Sequence, residues 1–274
     1  MKDTITIGNR QFLLKGHTYI MGILNVTPDS FSDGGRYDSL DRALKHCEEM
    51  LRMGADIIDI GGESSRPNHV KISVNEEIDR VMPALQAIKR EFDVPLSLDT
   101  CKSAVAAEGI KAGADMINDI WGLKYDDDMA RVIAATGVAC CLMHNRATPD
   151  YTDYMADMRA DLKESLGIAA RAGIDKDKIV LDPGIGFGKT QIDNIVALKR
   201  MDELFELDCP LLLGVSRKSV IGAVLGDNVD DREAATVALT AYAASKGIQF
   251  VRVHNVGDNV KAAKMIRAVT EERL

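Results

Sequence analysis

The chain of 274 residues contains no apolar run long enough to span a bilayer. Its opening stretch, MKDTITIGNRQFLLKG, lacks the apolar core and small-residue cleavage site of a secretory signal, so the expected location is the cytoplasm. Basic residues are not in excess. Lys and Arg number 34 against 42 Asp and Glu, a formal net charge of −8, which argues against non-specific nucleic-acid binding but permits a locally basic site for a small anion. None of the five cysteines (Cys47, Cys101, Cys140, Cys141, Cys209) belongs to a C-x-x-C pair, so buried, reduced thiols are expected. No two of His17, His46, His69, His144 and His254 have zincin spacing, which argues against zinc. No G-x-S-x-G elbow marks a nucleophile, although Ser64, Ser65, His144 and Asp182 supply the residue types of a triad. The stretch DPGIGFGKT (182–190) has Pro183 where a P-loop needs its first glycine, and its G-x-G-x-G is not the dinucleotide fingerprint. No linker or low-complexity segment divides the chain, and a single domain over 1–274 is expected.

What is present is a repeat. A helical stretch ends in glycine and a short apolar run follows, at Gly54, Gly113, Gly137, Gly173 and Gly247. Glycine suits the left-handed residue just past a helix, and a continuous apolar run suits a buried parallel strand. The runs place strands near 19–24, 56–60, 96–99, 116–118, 138–143, 179–182, 211–214 and 250–253. Helical stripes lie between them, one of Leu40, Ala43, Leu44, Cys47 and Leu51, another of Ile78, Val81, Met82, Leu85 and Ile88. Before the first strand, about 4–15 reads as a hairpin with a two-residue turn that caps the barrel bottom. Eight alternating units predict an α/β fold, a (β/α)8 TIM barrel, with a doubly wound sheet as the alternative.

Barrel active sites lie at the C-terminal ends of the strands. Those ends carry Asn25; Glu63, Ser64, Ser65 and Arg66; Asp99; Asn118; Met143 and His144; Asp182; Ser216, Arg217, Lys218 and Ser219; Arg252 and His254. Asp99, Asn118 and Asp182 each close an apolar run, where an unpaired polar group is costly, and they suit a ligand edge rich in N–H donors, as in a pterin or purine. Arg66, Lys218, Arg252 and His254 suit a multiply charged anion such as diphosphate. Two long loops, 25–38 and 63–73, follow adjacent strands on this rim and are expected to act as lids.

At these positions the chain resembles dihydropteroate synthases, through MGILNVTPDSFSDGG (21–35), IIDIGGESSRP (57–67), SLDT (97–100), IND (117–119), DPGIGFGK (182–189), GVSRKS (214–219) and RVHNV (252–256). The motifs run the length of the barrel in the family's order. The resemblance implies a homodimeric TIM barrel that joins (7,8-dihydropterin-6-yl)methyl diphosphate to 4-aminobenzoate in folate biosynthesis. It implies that Asp99, Asn118, Met143, Asp182 and Lys218 hold the pterin, with Arg252 stacked on its face. Asn25, Ser65, Arg252 and His254 would hold the diphosphate, with Mg²⁺ on Asn25. Phe31, Ser65, Arg66, Pro67, Phe187, Lys218 and Ser219 would enclose 4-aminobenzoate. The implied catalytic group is Lys218, Arg252, His254 and Asp99. Ser65 stands where the family usually has Thr, Asn68-His69 where Gly-Ala is common, and Asn255 where Asp is usual.

The chemistry expected is an SN1-like loss of diphosphate, because the pterin ring can delocalise the positive charge and an arylamine is already nucleophilic. Three other functions fit parts of the pattern: a methyltetrahydrofolate methyltransferase-like enzyme, a non-catalytic pterin-binding paralogue and a generic phosphate-binding barrel.

Overall fold

The computed structural model describes residues 2–27, 36–64, 70–226 and 232–272. It opens on a hairpin, β1 (Thr4–Ile7) and β2 (Arg10–Leu13), paired antiparallel from Thr4 with Leu13 to Ile7 with Arg10. Gly8 takes a φ of 59° at the first turn position, as a tight hairpin turn requires.

Eight parallel strands follow: β3 (Tyr19–Asn25), β4 (Ile57–Gly61), β5 (Leu96–Asp99), β6 (Met116–Asp119), β7 (Ala139–Met143), β8 (Ile179–Asp182), β9 (Leu212–Leu213) and β10 (Phe250–Val253). They neighbour one another in the order β8-β7-β6-β5-β4-β3-β10-β9, and a parallel bridge between Leu181 and Leu211 joins the two ends. The sheet thus closes into a barrel, and the doubly wound alternative, which needs open edges, is set aside. The helices are α1 (Arg36–Arg52), α2 (Val74–Glu91), α3 (Ser103–Ala112), α4 (Met129–Thr136), α5 (Tyr154–Ala172), α6 (Gln191–Arg200), α7 (Ser219–Leu225), α8 (Glu233–Ser245) and α9 (Val256–Glu271). Among the described residues no helix is long and apolar enough to cross a membrane.

Side chains alternate across a strand, and here each face has its own character. Outward residues such as Ile58, Ile60, Leu96, Leu98, Ile117, Leu142 and Leu181 pack against the helices. Both predicted helical stripes lie in that layer, with Ala43, Cys47, Val81, Leu85 and Ile88 buried and the rest partly buried. Inward residues near the strand starts, Met21, Ile57, Met116, Cys141, Val180, Leu212 and Phe250, pack with Ile5, Ile7, Phe12 and Leu14 of the hairpin region. The hairpin is therefore an apolar plug at the barrel bottom, as expected, and the inward residues turn polar from the level of Asp59 and Ser97 upward.

The five punctuating glycines all have positive φ, reaching 113° at Gly113, whose N–H bonds back to the Gly109 and Ile110 carbonyls. Strand limits shift slightly. The run 56–60 becomes Ile57–Gly61, because the Asp56 carboxylate instead accepts the Ile20 N–H at 2.8 Å. The run 211–214 shrinks to Leu212–Leu213, because the Leu211 N–H goes to Gln249 Oε1 at 2.8 Å. Four cysteines are buried as expected; Cys101, at the barrel rim, is only half-buried.

Candidate active site

Register places the site. Asn25 pairs with Gly61, Gly61 with Asp99, and Asp99 with Asn118, so one level of the barrel mouth runs across four strands. Gly61 has no side chain, and a Cβ there would meet Asn25 Oδ1 at 3.7 Å and Asp99 Oδ2 at 3.8 Å. The gap keeps a rim amide and an inner carboxylate on the same small space.

Arg252, pointing inward from β10, lies between two carboxylates. Its Nε donates to Asp59 Oδ2 at 2.5 Å and its Nη2 to Asp99 Oδ2 at 2.7 Å. Burial disfavours its charge, but Asp59 and Asp99 outweigh that and hold its pKa above the ordinary arginine value. Asp99 is pushed up to about 7, because burial and the neighbouring acids outweigh the attraction of Arg252. Asn118, buried on β6, donates its Nδ2 to Asp59 Oδ2 at 3.3 Å.

On the other side of the mouth, Asp182 ends β8. Its Oδ1 accepts the Gly184 N–H at 2.6 Å, and burial raises its pKa despite Lys218 nearby. Lys218 Nζ donates to the Ile185 carbonyl at 2.5 Å and stands 4.6 Å from the centre of the Phe187 ring. Burial pulls its pKa down to about 8, against the pull of Asp182. A Cβ on Gly214 would meet Asp182 Oδ2 at 3.4 Å and Lys218 Nζ at 3.8 Å, so glycine leaves room for this pair. Met143 is buried beside the glycine turn after β8. Ser219 is the first residue of α7 and is exposed.

His254 follows β10. Ser216 Oγ accepts the His254 backbone N–H at 3.3 Å and lies 2.9 Å from Nδ1. The backbone and the ring of His254 are thus both anchored on one hydroxyl, which fixes where the imidazole stands.

Of the residues expected at the site, Asp99, Asn118, Met143, Asp182, Lys218 and Arg252 converge on the mouth, with Phe187 beside Lys218. Asn25 lies at its rim, and His254 is held on the C-terminal side of β10. Phe31, Ser65, Arg66 and Pro67 lie outside the described residues, as do 28–35 of the first expected lid and 65–69 of the second. Among the described residues no three His, Cys, Asp or Glu side chains cluster as metal ligands.

His144 does not face the mouth. Its Nε2 lies 3.0 Å from Asp161 Oδ2 on α5, and its Nδ1 lies 2.8 Å from Lys189 Nζ. Burial first, and then the charge of Lys189, hold its pKa well below the ordinary histidine value. Two inward polar residues escaped the reading of strand ends: Asp59 and Ser97, side by side in register on β4 and β5. Their signal was present, since each lies two positions before an inward residue at its strand end, Gly61 and Asp99.

A closed α/β barrel whose mouth carries paired acids, an amide and half-buried cations defines a binding enzyme for a small, donor-rich ring. Residues 21–254 match the family model described as "Pterin binding enzyme". The chain is 53% identical to the dihydropteroate synthase of Clostridium beijerinckii over 94% of its own length and 97% of that protein's. The crystal structure of the dihydropteroate synthase from Clostridium difficile in the presence of pteroic acid has a TM-score of 0.91 and 48% identity, covering 93% of this chain and 98% of that one. A sulfonamide complex of the Yersinia pestis enzyme has a TM-score of 0.92 and 42% identity, covering 98% and 99%. The chain belongs to the dihydropteroate synthase family of pterin-binding transferases.

Proposed function

We propose that the barrel mouth condenses (7,8-dihydropterin-6-yl)methyl diphosphate with 4-aminobenzoate to give 7,8-dihydropteroate and diphosphate, and that residues 1–274 form one domain around that site. The observation that carries this reading is the inner layer of Asp99, Asn118 and Asp182 beside Arg252 and Lys218. The three acidic and amide side chains supply hydrogen-bond acceptors for the N–H edge of the pterin. Arg252, fixed by two carboxylates, presents a planar cation for its face.

In the reaction the bond between the pterin methylene and the diphosphate oxygen breaks, its electron pair leaving with the oxygen. The amine lone pair then forms the C–N bond and the amine gives up a proton. The pterin ring spreads the transient positive charge, which favours an SN1-like path, and no protein nucleophile is required. His254 and Arg252 stabilise the negative charge of the leaving group. Lys218, Phe187 and Ser219 border the position of 4-aminobenzoate, joined in this reading by Phe31, Ser65, Arg66 and Pro67.

Mg²⁺ fits the rim. Asn25 offers a hard, neutral oxygen, and Mg²⁺ takes few protein ligands when phosphate and water oxygens complete its shell. Bound there with the substrate, it would neutralise charge on the diphosphate. Ser65 joins Asn25 in holding that group. Exposed apolar side chains on α8 and α9, Tyr242, Met265 and Val269, support a homodimer. A cytoplasmic location accords with the small-molecule chemistry.

The test is incubation with the pterin diphosphate, 4-aminobenzoate and Mg²⁺, with dihydropteroate and diphosphate both measured. Production of both in equal amounts is expected. Diphosphate release without dihydropteroate, or no turnover, would overturn the reading.

A further inference from the structure

Among the described residues, Asp59 is the most enclosed acidic or basic side chain. It lies in the middle of β4, has no exposed surface, and is flanked by the isoleucines of an otherwise apolar strand. A carboxylate at such a position is costly unless it is partnered. Its Oδ2 is partnered twice, by Arg252 Nε at 2.5 Å and by Asn118 Nδ2 at 3.3 Å. Its Oδ1 and the neighbouring Ser97 Oγ take no hydrogen bond from the described protein residues. Asp59 therefore sits one layer below the mouth and grips two of the side chains that line it.

The grip on Asn118 has a chemical consequence. A side-chain amide has a donor end and an acceptor end. An ionised carboxylate only accepts, so it takes the NH2 end and leaves Asn118 Oδ1 as the end free to accept elsewhere. Reversing the amide would set its oxygen against a buried carboxylate oxygen, two acceptors with no proton between them. We propose that Asp59 is a positioning residue that sets specificity: by holding the Asn118 amide in one orientation, and Arg252 in place, it makes the mouth an all-acceptor set with Asp99 and Asp182. Such a set selects a ring with an amino group at position 2 and rejects its 2-oxo counterpart. The proposal rests on the pterin reading above.

Calorimetry on the full chain with pterin and with lumazine, its 2-oxo analogue, tests it. Wild-type protein should prefer pterin. In Asp59→Ala the amide is free to reverse, and the preference should fall about tenfold, roughly the value of one hydrogen bond. Asp59→Asn keeps an acceptor oxygen of the same shape and should restore most of the preference. A purely structural role would weaken both ligands alike and leave the ratio unmoved; an Asp59→Ala ratio equal to wild type, or an Asp59→Asn ratio no better than that of Asp59→Ala, overturns the proposal. Wild-type protein that prefers neither ligand would instead overturn the pterin reading itself. Should Asp59→Ala not fold, nuclear magnetic resonance of wild-type protein decides, with the Asn118 amide assigned through Asn118→Asp. Nδ2 protons protected from exchange before ligand is added are expected; exchange as fast as that of a surface amide overturns the proposal.

Discussion

Asp182 is enclosed at the end of β8, with one carboxylate oxygen already engaged by the Gly184 N–H and Lys218 beside it. Asp182→Asn preserves its shape but turns an acceptor into a donor and removes a charge. Pterin affinity should fall by about 2–4 kcal/mol, the cost of an unpaired buried group, and calorimetry on the folded variant measures it. Asp99 makes a pH-dependent prediction. Its pKa, pushed up to about 7 by burial first, lies above the ordinary carboxylate value of about 4. Once ionised it accepts at both oxygens and holds a ligand N–H more strongly, so binding of an unphosphorylated pterin should strengthen as pH rises through neutrality. Stability moves the other way. A raised folded-state carboxylate pKa means that the ligand-free protein holds the extra proton and loses this contribution as pH rises from about 4 to about 7. Binding and melting measured on either side of neutrality check both signs, and an Asp99→Asn variant should flatten them.

At the scale of one element, the loop between β8 and α6 carries Phe187 and is held from behind. Lys189 Nζ donates to the Phe187 carbonyl at 2.9 Å and to His144 Nδ1 at 2.8 Å, and the ring passes on to Asp161 at 3.0 Å. Arg146 Nε reaches the same Asp161 oxygen at 2.6 Å, and Tyr151 Oη donates to the Gly188 carbonyl at 2.7 Å. A Cβ on Gly188 would overlap the Arg146 carbonyl oxygen, so the loop lies flat on that support. Lys189→Met keeps the apolar stem and removes the donor. KM for 4-aminobenzoate should rise several-fold, about the loss of one charge-assisted hydrogen bond, while pterin affinity stays near wild type. Equal loss for both substrates would mean that the cluster supports the whole barrel and not this loop. Thermal melting should show a modest fall in either case.

For the molecule as a whole, one mouth must hold two substrates and keep them in order. A sulfonamide presents an arylamine with a polar group para to it, as 4-aminobenzoate does, and the Yersinia pestis relative has been crystallised with such a drug. Sulfonamides should compete with 4-aminobenzoate at the space bordered by Phe187, Lys218 and Ser219, and steady-state kinetics would show relief by added 4-aminobenzoate. Inhibition that persists at saturating 4-aminobenzoate would place them elsewhere. A second prediction concerns order. If the pterin completes the floor of the site, 4-aminobenzoate should bind the free protein weakly and bind much better with pterin and diphosphate present. Paired calorimetric titrations measure this, and equal affinities would mean a preformed pocket.

Much of this architecture is local, and local features can be read along the chain. Apolar runs, helical stripes and glycines that end helices depend on neighbours a few residues away, so eight strands, the hairpin and the polar strand ends could all be placed from order alone. The shifts at Asp56 and Leu211 show the limit, since each found its partner far along the chain, the Asp56 carboxylate at Ile20 and the Leu211 amide at Gln249. Closure of the barrel belongs to the tertiary structure, because the Leu181–Leu211 bridge joins the two ends of the strand order. The direction of His144 was decided the same way, by Asp161 on a helix and Lys189 on another loop. Asp59 is the clearest instance. Within IIDI it is one acid among isoleucines; alternation turns it inward, but only the sheet, with β10 beyond β3 bringing Arg252 and β6 beyond β5 bringing Asn118, sets it against two site residues. Alternation along a strand tells which residues share a face, but which groups they meet is set by strands far apart in sequence.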